Sequence, residues 1–208
     1  ETVDRLNKDS SVDGIMLMKP MPKNIDYNRL ALKLDPAKDI EGIHPFNIGR
    51  ITESYPYLVP PTVKAVLKIL DSVVKDLKGL EVVIVGHSYI VGKPLALLLA
   101  DRLATVTICH IGTSESGNLK NHVKRADILV VAAGKPNLIK GSWIKEGAVV
   151  VDVGINKYKS KIVGDVEFEE AKDKASFITP VPGGVGPLTN VMLMENLLFA
   201  AKRRQSIA

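Results

Sequence analysis

LEVVIVGHSYIVGKPLALLL, residues 80–99, carries a β-branched run that ends at Gly86 and an apolar run opened by Pro94. That order predicts a strand, a tight turn and a helix. A chain that turns sharply beside an apolar strand needs a residue without Cβ, which Gly86 supplies, and Gly92 lets the helix start lie close to a ligand. Unpaired N–H groups and the positive dipole end at such a start favour a phosphate. One reading of the stretch is therefore a nucleotide site, and the other is a purely structural strand-to-helix turn.

Three familiar glycine motifs overlap this segment and none fits. In G-x-G-x-x-G the outer glycines are five apart, whereas Gly86 and Gly92 are six apart with Ser88 in the middle glycine's place. A Walker loop would need Ser or Thr after Lys93, where Pro94 stands. A hydrolase elbow would need glycine at Ile90, so Ser88 reads as a loop hydrogen-bonding residue rather than a nucleophile.

Beyond this stretch, helical and strand patterns alternate. Residues 91–103 read as a helix and 105–110 as a strand, residues 122–125 end a polar helical turn, and 127–133 and 148–153 are further apolar strands closed by glycines. Near-continuous Val, Ile and Leu runs indicate strands buried on both faces, as in a parallel sheet. The expected fold is α/β, with a Rossmann-like doubly wound sheet whose ligand gathers at the carboxyl ends of the strands. Gly86, His87, Ser88, His110, Ile111, Ala133, Gly134 and Gly154 to Asn156 occupy those ends.

Upstream the pattern differs. Residues 12–18 read as a strand that Pro20 and Pro22 stop, 35–49 as irregular, and 62–74 as an amphipathic helix connecting two domains. Near the other end, Pro180, Pro182, Gly183, Gly184, Gly186 and Pro187 make a loop both rigid and glycine-rich, followed by a helix from about Leu188. Such a loop either brings bare backbone close to a flat ligand or merely connects.

Composition narrows the function classes. With 46% apolar residues in 208, the chain can bury one sizeable core or two small ones. No apolar run approaches the ~20 residues of a membrane span, the N-terminus does not read as a signal peptide, and a cytoplasmic location is expected. The single Cys109 excludes an intramolecular disulfide and reads as a buried strand thiol, and the four histidines lack ligand spacing, so no metal is expected. The net charge of +5 is scattered and aromatics are only 5%, which favours small anionic ligands over nucleic acid.

The segments DGIMLMKPMP, KDIEGIHPFNIGR, VGHSYIVGKPLALLL, ADILVVAAGKP, IKEGAVVVDVGIN and VGDVEFEEAKDKASFITPVPGGVGPLT, with the final helix, together resemble the methylenetetrahydrofolate dehydrogenase/methenyltetrahydrofolate cyclohydrolase family. The similarity is collinear over nearly the whole chain. It implies two α/β domains with a folate cleft between them: residues 1–75, onto which helix 188–204 packs back, and a dinucleotide-binding domain over 76–187. It also implies NADP or NAD as cofactor, tetrahydrofolate derivatives, polyglutamylated forms included, as partners, and a homodimer. The implied activity is oxidation of 5,10-methylenetetrahydrofolate, with hydrolysis to 10-formyltetrahydrofolate in the intact protein. The alternative is a non-catalytic dinucleotide-binding fragment or regulatory subunit.

On matching positions, the resemblance places the cofactor on Gly86, His87, Ser88, Val91, Gly92 and Ile111, with Gly154 and Ile155 at the nicotinamide end. It places the folate on Leu17, Met18, Lys19, Glu41, Pro182, Gly183, Gly184, Val185 and Gly186. Met18 stands where the family has Gln, and Glu41 where it has the aspartate that faces the pterin. Glu41 is thus the catalytic-site carboxylate here, the plain alternative being a solvated loop acid. His87 and Ile111 replace an Arg and a Ser that grip a ribose 2′-phosphate, so a reduced NADP preference is expected. The family's Tyr-x-x-x-Lys pair would fall before Glu1; Tyr89 and Lys93 repeat its spacing by coincidence. A chain that starts with Glu is expected to be a fragment, a processed form, or one lacking its first segment. An unrelated dehydrogenase would instead rely on a Lys19–Asp39 pair.

Overall fold

The computed structural model describes residues 1–18 and 20–205. In its N-terminal part, helices α1 (Thr2–Lys8) and α2 (Tyr27–Ala31) and the segments beside them gather a small core of Val3, Ile15, Leu17, Ala31, Leu34 and Ile43, and α3 (Pro45–Thr52) follows. The Asp26 carboxylate starts α2 by accepting the N–H groups of Asn28 and Arg29, and Pro45 opens α3 where no intrahelical donor is required. The strand expected over 12–18 does not form. Ile15 makes one parallel bridge to Asp39, Val12 and Leu17 turn into the core without a partner strand, and Met16 and Met18 stay exposed. The stretch 35–49, expected irregular, becomes helical from Pro45.

Helix α4 (Pro61–Val73) buries Val63, Val66, Leu67 and Leu70 along one side, as its apolar spacing requires. After it come β1 (Glu81–Val85), α5 (Gly92–Ala100), β2 (Thr105–Cys109), α6 (Ile111–Glu115), α7 (Leu119–Arg125), β3 (Ile128–Val131), a short 3-10 turn (Gly141–Trp143) and β4 (Val149–Asp152). Then follow a two-stranded antiparallel hairpin, β5 (Asn156–Tyr158) and β6 (Lys161–Val163), then α8 (Phe168–Lys174), β7 (Phe177–Ile178) and α9 (Val185–Gln205).

The five-stranded sheet runs β2-β1-β3-β4-β7 and is parallel throughout. Alternate residues of each central strand serve opposite faces. Val82, Ile84, Ile128, Val130 and Val151 pack with α4, α5 and the start of α9, while Val83, Val85, Leu129, Val131 and Val150 pack with α7 and α8. Burying each such side chain contributes about 1.5–3 kcal/mol, and two covered faces explain why the strands read as unbroken apolar runs. β2 lies on one side of β1 and β3 on the other, so the chain reverses direction of winding between β1 and β3. That reversal opens a crevice at their carboxyl ends.

Helix α9 begins at Val185, earlier than the residue-188 start that Pro187 suggests, because a proline in the first helical turn removes no hydrogen bond. The buried Asn196 of α9 donates to the carbonyls of Ile40 and Val59 at 2.8 and 2.9 Å and accepts from Lys64 at 3.0 Å. Arg204 reaches the carbonyls of Ser10 and Val12 and pairs with Asp13 at 3.3 Å. The last helix thereby ties the N-terminal part to α4.

Candidate functional site

The carboxyl ends of β1, β2 and β3 enclose a cavity of about 320 Å³. Gly86 lines it, and Gly92 packs behind Gly86 at the start of α5. A Cβ on Gly86, whose φ is +129°, would lie 2.3 Å from the Ala132 carbonyl oxygen, and one on Gly92 would lie 1.9 Å from that of Gly86. Only bare backbone lets the loop, β3 and the start of α5 approach this closely. Ser88 Oγ accepts the Val91 N–H at 3.2 Å and the Ser88 carbonyl accepts that of Lys93 at 3.0 Å, which directs the loop into α5.

Of the eight positions expected to hold a cofactor, Gly86, His87, Ser88 and Ile111 line this cavity. Val91 and Gly92 form the start of α5 behind the loop. Gly154 packs against Asp165, and Ile155 stands exposed beside Gly186, where a Cβ would meet its Cδ1 at 3.5 Å. His110, Ser114 and Lys135 also line the cavity. The imidazoles of His87 and His110 face each other, centroids 5.3 Å apart and tilted by 57°.

Two buried aspartates hold the loops around this cavity. Asp165 accepts the N–H groups of Ala133 (2.7 Å), Gly134 (2.9 Å) and Lys135 (2.8 Å) and the Asn156 side-chain amide (2.8 Å). Asp152, at the end of β4, accepts from Gly154 (2.9 Å), Asp165 (3.0 Å) and Val166 (2.8 Å). Burial pushes the Asp152 carboxyl up to about 6, the nearby Asp165 charge adds to this, and the three N–H bonds oppose it. Neither aspartate carried a signal in the sequence, because their donors come from separate segments.

The expected folate positions fall into two groups. Leu17 and Met18 line a groove of about 760 Å³ on the N-terminal part, and the Leu17 N–H donates to Glu41 Oε2 at 2.9 Å. Glu41 is thus a half-buried, hydrogen-bonded carboxylate. Burial first, then the Glu41 charge, raises the phenols of Tyr27 and Tyr89 above the ordinary tyrosine value. Tyr89 belongs to the loop between β1 and α5, and its neighbour Ile90 packs on the N-terminal core, so this loop touches both halves of the chain. Lys19 lies outside the described residues. The proposed Asp39 partner is fully buried, and its Oδ2 accepts from the His44 N–H and the Asn47 amide at 2.8 Å each, a loop-holding role.

In the second group, Val185 is buried in the sheet core, and Gly183 has φ +109°. A Cβ on Gly184 would meet the Pro180 carbonyl at 2.6 Å. The loop's own path therefore accounts for two of its glycines, a packing reason that the bare sequence did not reveal. Pro182, Gly183, Gly184, Val185 and Gly186 are not among the residues lining the 760 Å³ groove.

Comparison with known proteins adds a second kind of observation. The family described as tetrahydrofolate dehydrogenase/cyclohydrolase, NAD(P)-binding domain, matches residues 60–205, and the catalytic domain of the same family matches residues 1–41. The chain is 50% identical over 205 residues to the bifunctional protein FolD of a Nitratiruptor species, covering 99% of this chain and 72% of that protein. It superposes with a TM-score of 0.93 on the bifunctional FolD of Campylobacter jejuni, at 44% identity over 98% of this chain and 72% of the other. For the Trypanosoma brucei FolD, solved with NADP and an inhibitor, the TM-score is 0.90 at 41% identity, over 97% of this chain and 71% of the other.

Proposed function

Because the chain belongs to the tetrahydrofolate dehydrogenase/cyclohydrolase family, we infer that it acts in one-carbon folate metabolism. It oxidises 5,10-methylenetetrahydrofolate to methenyltetrahydrofolate with NADP or NAD, and hydrolysis then gives 10-formyltetrahydrofolate. The observation that carries the reading is the glycine-lined cavity at the β1–β3 reversal in a chain that matches this family along its length.

The residues present fit a dinucleotide, since the bare backbone of Gly86 and Gly92 packs the loop after β1 tightly against β3 and the start of α5, the arrangement that carries a pyrophosphate at a helix start. When bound, the nicotinamide accepts the hydride that the substrate's one-carbon bridge gives up. The protein's part is placement. His87, Ser88 and Ile111 hold the ribose side, and Gly154 and Ile155 border the nicotinamide end. Pro182, Gly183, Gly184 and Gly186 lay backbone along the folate, with Leu17, Met18 and the Glu41 carboxylate at the pterin. Fixing the bridge carbon against the acceptor is the main requirement of hydride transfer. Hydration then needs a positioned water that adds to the carbon, loses a proton and lets one ring C–N bond open.

The division into residues 1–75 with helix 188–204 packed back on it, and a dinucleotide-binding part over 76–187, belongs to the same reading. It is supported by Asn196 and Arg204, which both bind the N-terminal part. A homodimer is supported by the exposed stripe of Val191, Met194 and Leu198 on α9, and attraction of polyglutamate tails by the net charge of +5. Among the described residues no helix is long and apolar enough to cross a membrane. Equilibrium titration with a reduced folate, with and without NADP, tests the placement: each should bind saturably and the folate more tightly in the ternary complex. Independent binding, with no coupling, would count against a shared cleft.

A further inference from the structure

The loop from Gly86 to Gly92 serves two surfaces in turn. His87 and Ser88 line the 320 Å³ cavity at the end of β1, and the next residue, Tyr89, lines a separate hollow of about 520 Å³ on the N-terminal part. Ala31 and Leu32 at the end of α2, with Ile43, Pro45 and Ile48 around the start of α3, make its apolar walls. Ile90 then packs on the N-terminal core, and Gly92 returns the chain to α5. Both ends of the loop are held by close backbone contacts, at Gly86 against Ala132 and at Gly92 against Gly86. Between these fixed ends, three successive residues join the cofactor cavity to the N-terminal part.

Packing alone does not account for Tyr89, which stays 40% exposed while it covers the hollow. Its phenol lies in the field of the folate-site acid: burial first, then the charges of Glu41 and Asp39, hold it protonated above the ordinary tyrosine value. Of those two acids, Asp39 is fully buried and spends its Oδ2 on the His44 N–H and the Asn47 amide. Glu41 is half-buried beside the folate groove, where its Oε2 takes the Leu17 N–H at 2.9 Å. A protonated phenol is a donor, and its bond to an ionised carboxylate is roughly twice as strong as one to a neutral oxygen. Resting on the reading of this chain as a folate-dependent dehydrogenase, we propose that Tyr89 is a positioning residue of the folate site. Its ring seats the cofactor loop on α2 and α3, and its O–H steadies the Glu41 carboxylate. The group that meets the substrate is thereby aligned from the cofactor side.

Calorimetric affinities of 5,10-methylenetetrahydrofolate's stable analogue tetrahydrofolate, with and without NADP, together with KM and kcat, test this in the parent chain, Tyr89→Phe and Tyr89→Ala. Tyr89→Phe keeps the ring and loses the donor, so folate affinity should fall roughly tenfold, the effect of one hydrogen bond to a charged group. KM should rise in step, while kcat and NADP affinity change by less than about twofold. In a Glu41→Gln background the same substitution should cost only about threefold, because a neutral amide oxygen is the weaker acceptor. Tyr89→Ala also removes the seat, and NADP should then no longer tighten folate binding. Tyr89→Phe disturbs no packing, so its two arms stand whatever Tyr89→Ala does to stability. Unchanged folate affinity in Tyr89→Phe would overturn the proposal, as would an undiminished loss in the Glu41→Gln background or full tightening by NADP in Tyr89→Ala. Failure of the parent chain to bind folate would instead overturn the folate reading, and the proposal with it.

Discussion

Asp165 accepts the backbone N–H of Ala133 at 2.7 Å, and its carboxylate is wholly buried, with Gly134, Lys135 and Asn156 as its other donors. A concavity of successive N–H groups at the end of β3 would otherwise be an anion site. Here the protein fills it with its own acid, which leaves the loop fixed and the start of α5 as the place for a phosphate. Replacing Asp165 by Asn sets an NH2 group against backbone N–H donors. Each unsatisfied donor costs about 1–3 kcal/mol. Thermal unfolding of Asp165→Asn should occur roughly 5–10 °C lower, at about 2–4 °C per kcal/mol for a chain of this size. An unchanged melting temperature would show that the carboxylate is not holding the loop.

Gly92 offers a sharper steric test. A methyl group 1.9 Å from the Gly86 carbonyl oxygen cannot be accommodated without moving the loop or α5. Gly92→Ala should weaken dinucleotide binding at least tenfold. Gly49, in α3, has nothing within 4 Å of an added Cβ, so Gly49→Ala is the matched control and should gain about 0.5–1 kcal/mol of stability from helix propensity. Calorimetric titration of both variants with NADP separates the two effects.

Glu41 is tied to the Leu17 N–H at 2.9 Å, a bond that Gln can keep while losing the charge. Glu41→Gln should therefore raise the KM for the folate about tenfold or more while leaving the affinity for NAD(P) unchanged. Equal loss of both affinities would make Glu41 a structural loop acid instead.

Asp152 gives a pH signature. Its folded-state value, raised to about 6 chiefly by burial, lies above the ordinary 3.8 of an unfolded chain. Between those values the folded protein holds a proton that the unfolded chain has released, so the contribution to stability is complete below about pH 4 and is lost as the pH rises through 6. Its size is about 3 kcal/mol, from about 1.4 kcal/mol per pH unit. The stability difference between the parent chain and Asp152→Asn, from urea unfolding at pH 4, 5, 6 and 7, should shift against the parent by up to that amount and then level off. A difference that is flat or moves the other way would refute the assignment.

The parallel sheet was legible because residues 82–85 and 128–131 are covered on both faces, which leaves an unbroken apolar run as the trace. The loop from Gly86 to Gly92 was legible for a related reason, since close approach leaves glycine as its only solution. The apolar run at 12–18 misled because periodicity records which residues are buried, whereas a strand also needs a partner, and Ile15 finds only the single bridge to Asp39. The hairpin β5–β6 has exposed residues at most positions and so no pattern at all. The buried polar residues that hold the site together were the least visible. Asn196 bonds to Ile40 and Val59, and Asp165 to Ala133 and Asn156, partners that no local window contains.

The most direct measurement is the appearance of reduced nicotinamide when the 208-residue chain is mixed with 5,10-methylenetetrahydrofolate and NADP or NAD. The account predicts absorbance of reduced cofactor that depends on both substrates and falls when Gly92 is replaced by Ala. Saturable binding of cofactor and folate with no hydride transfer to either dinucleotide would contradict it.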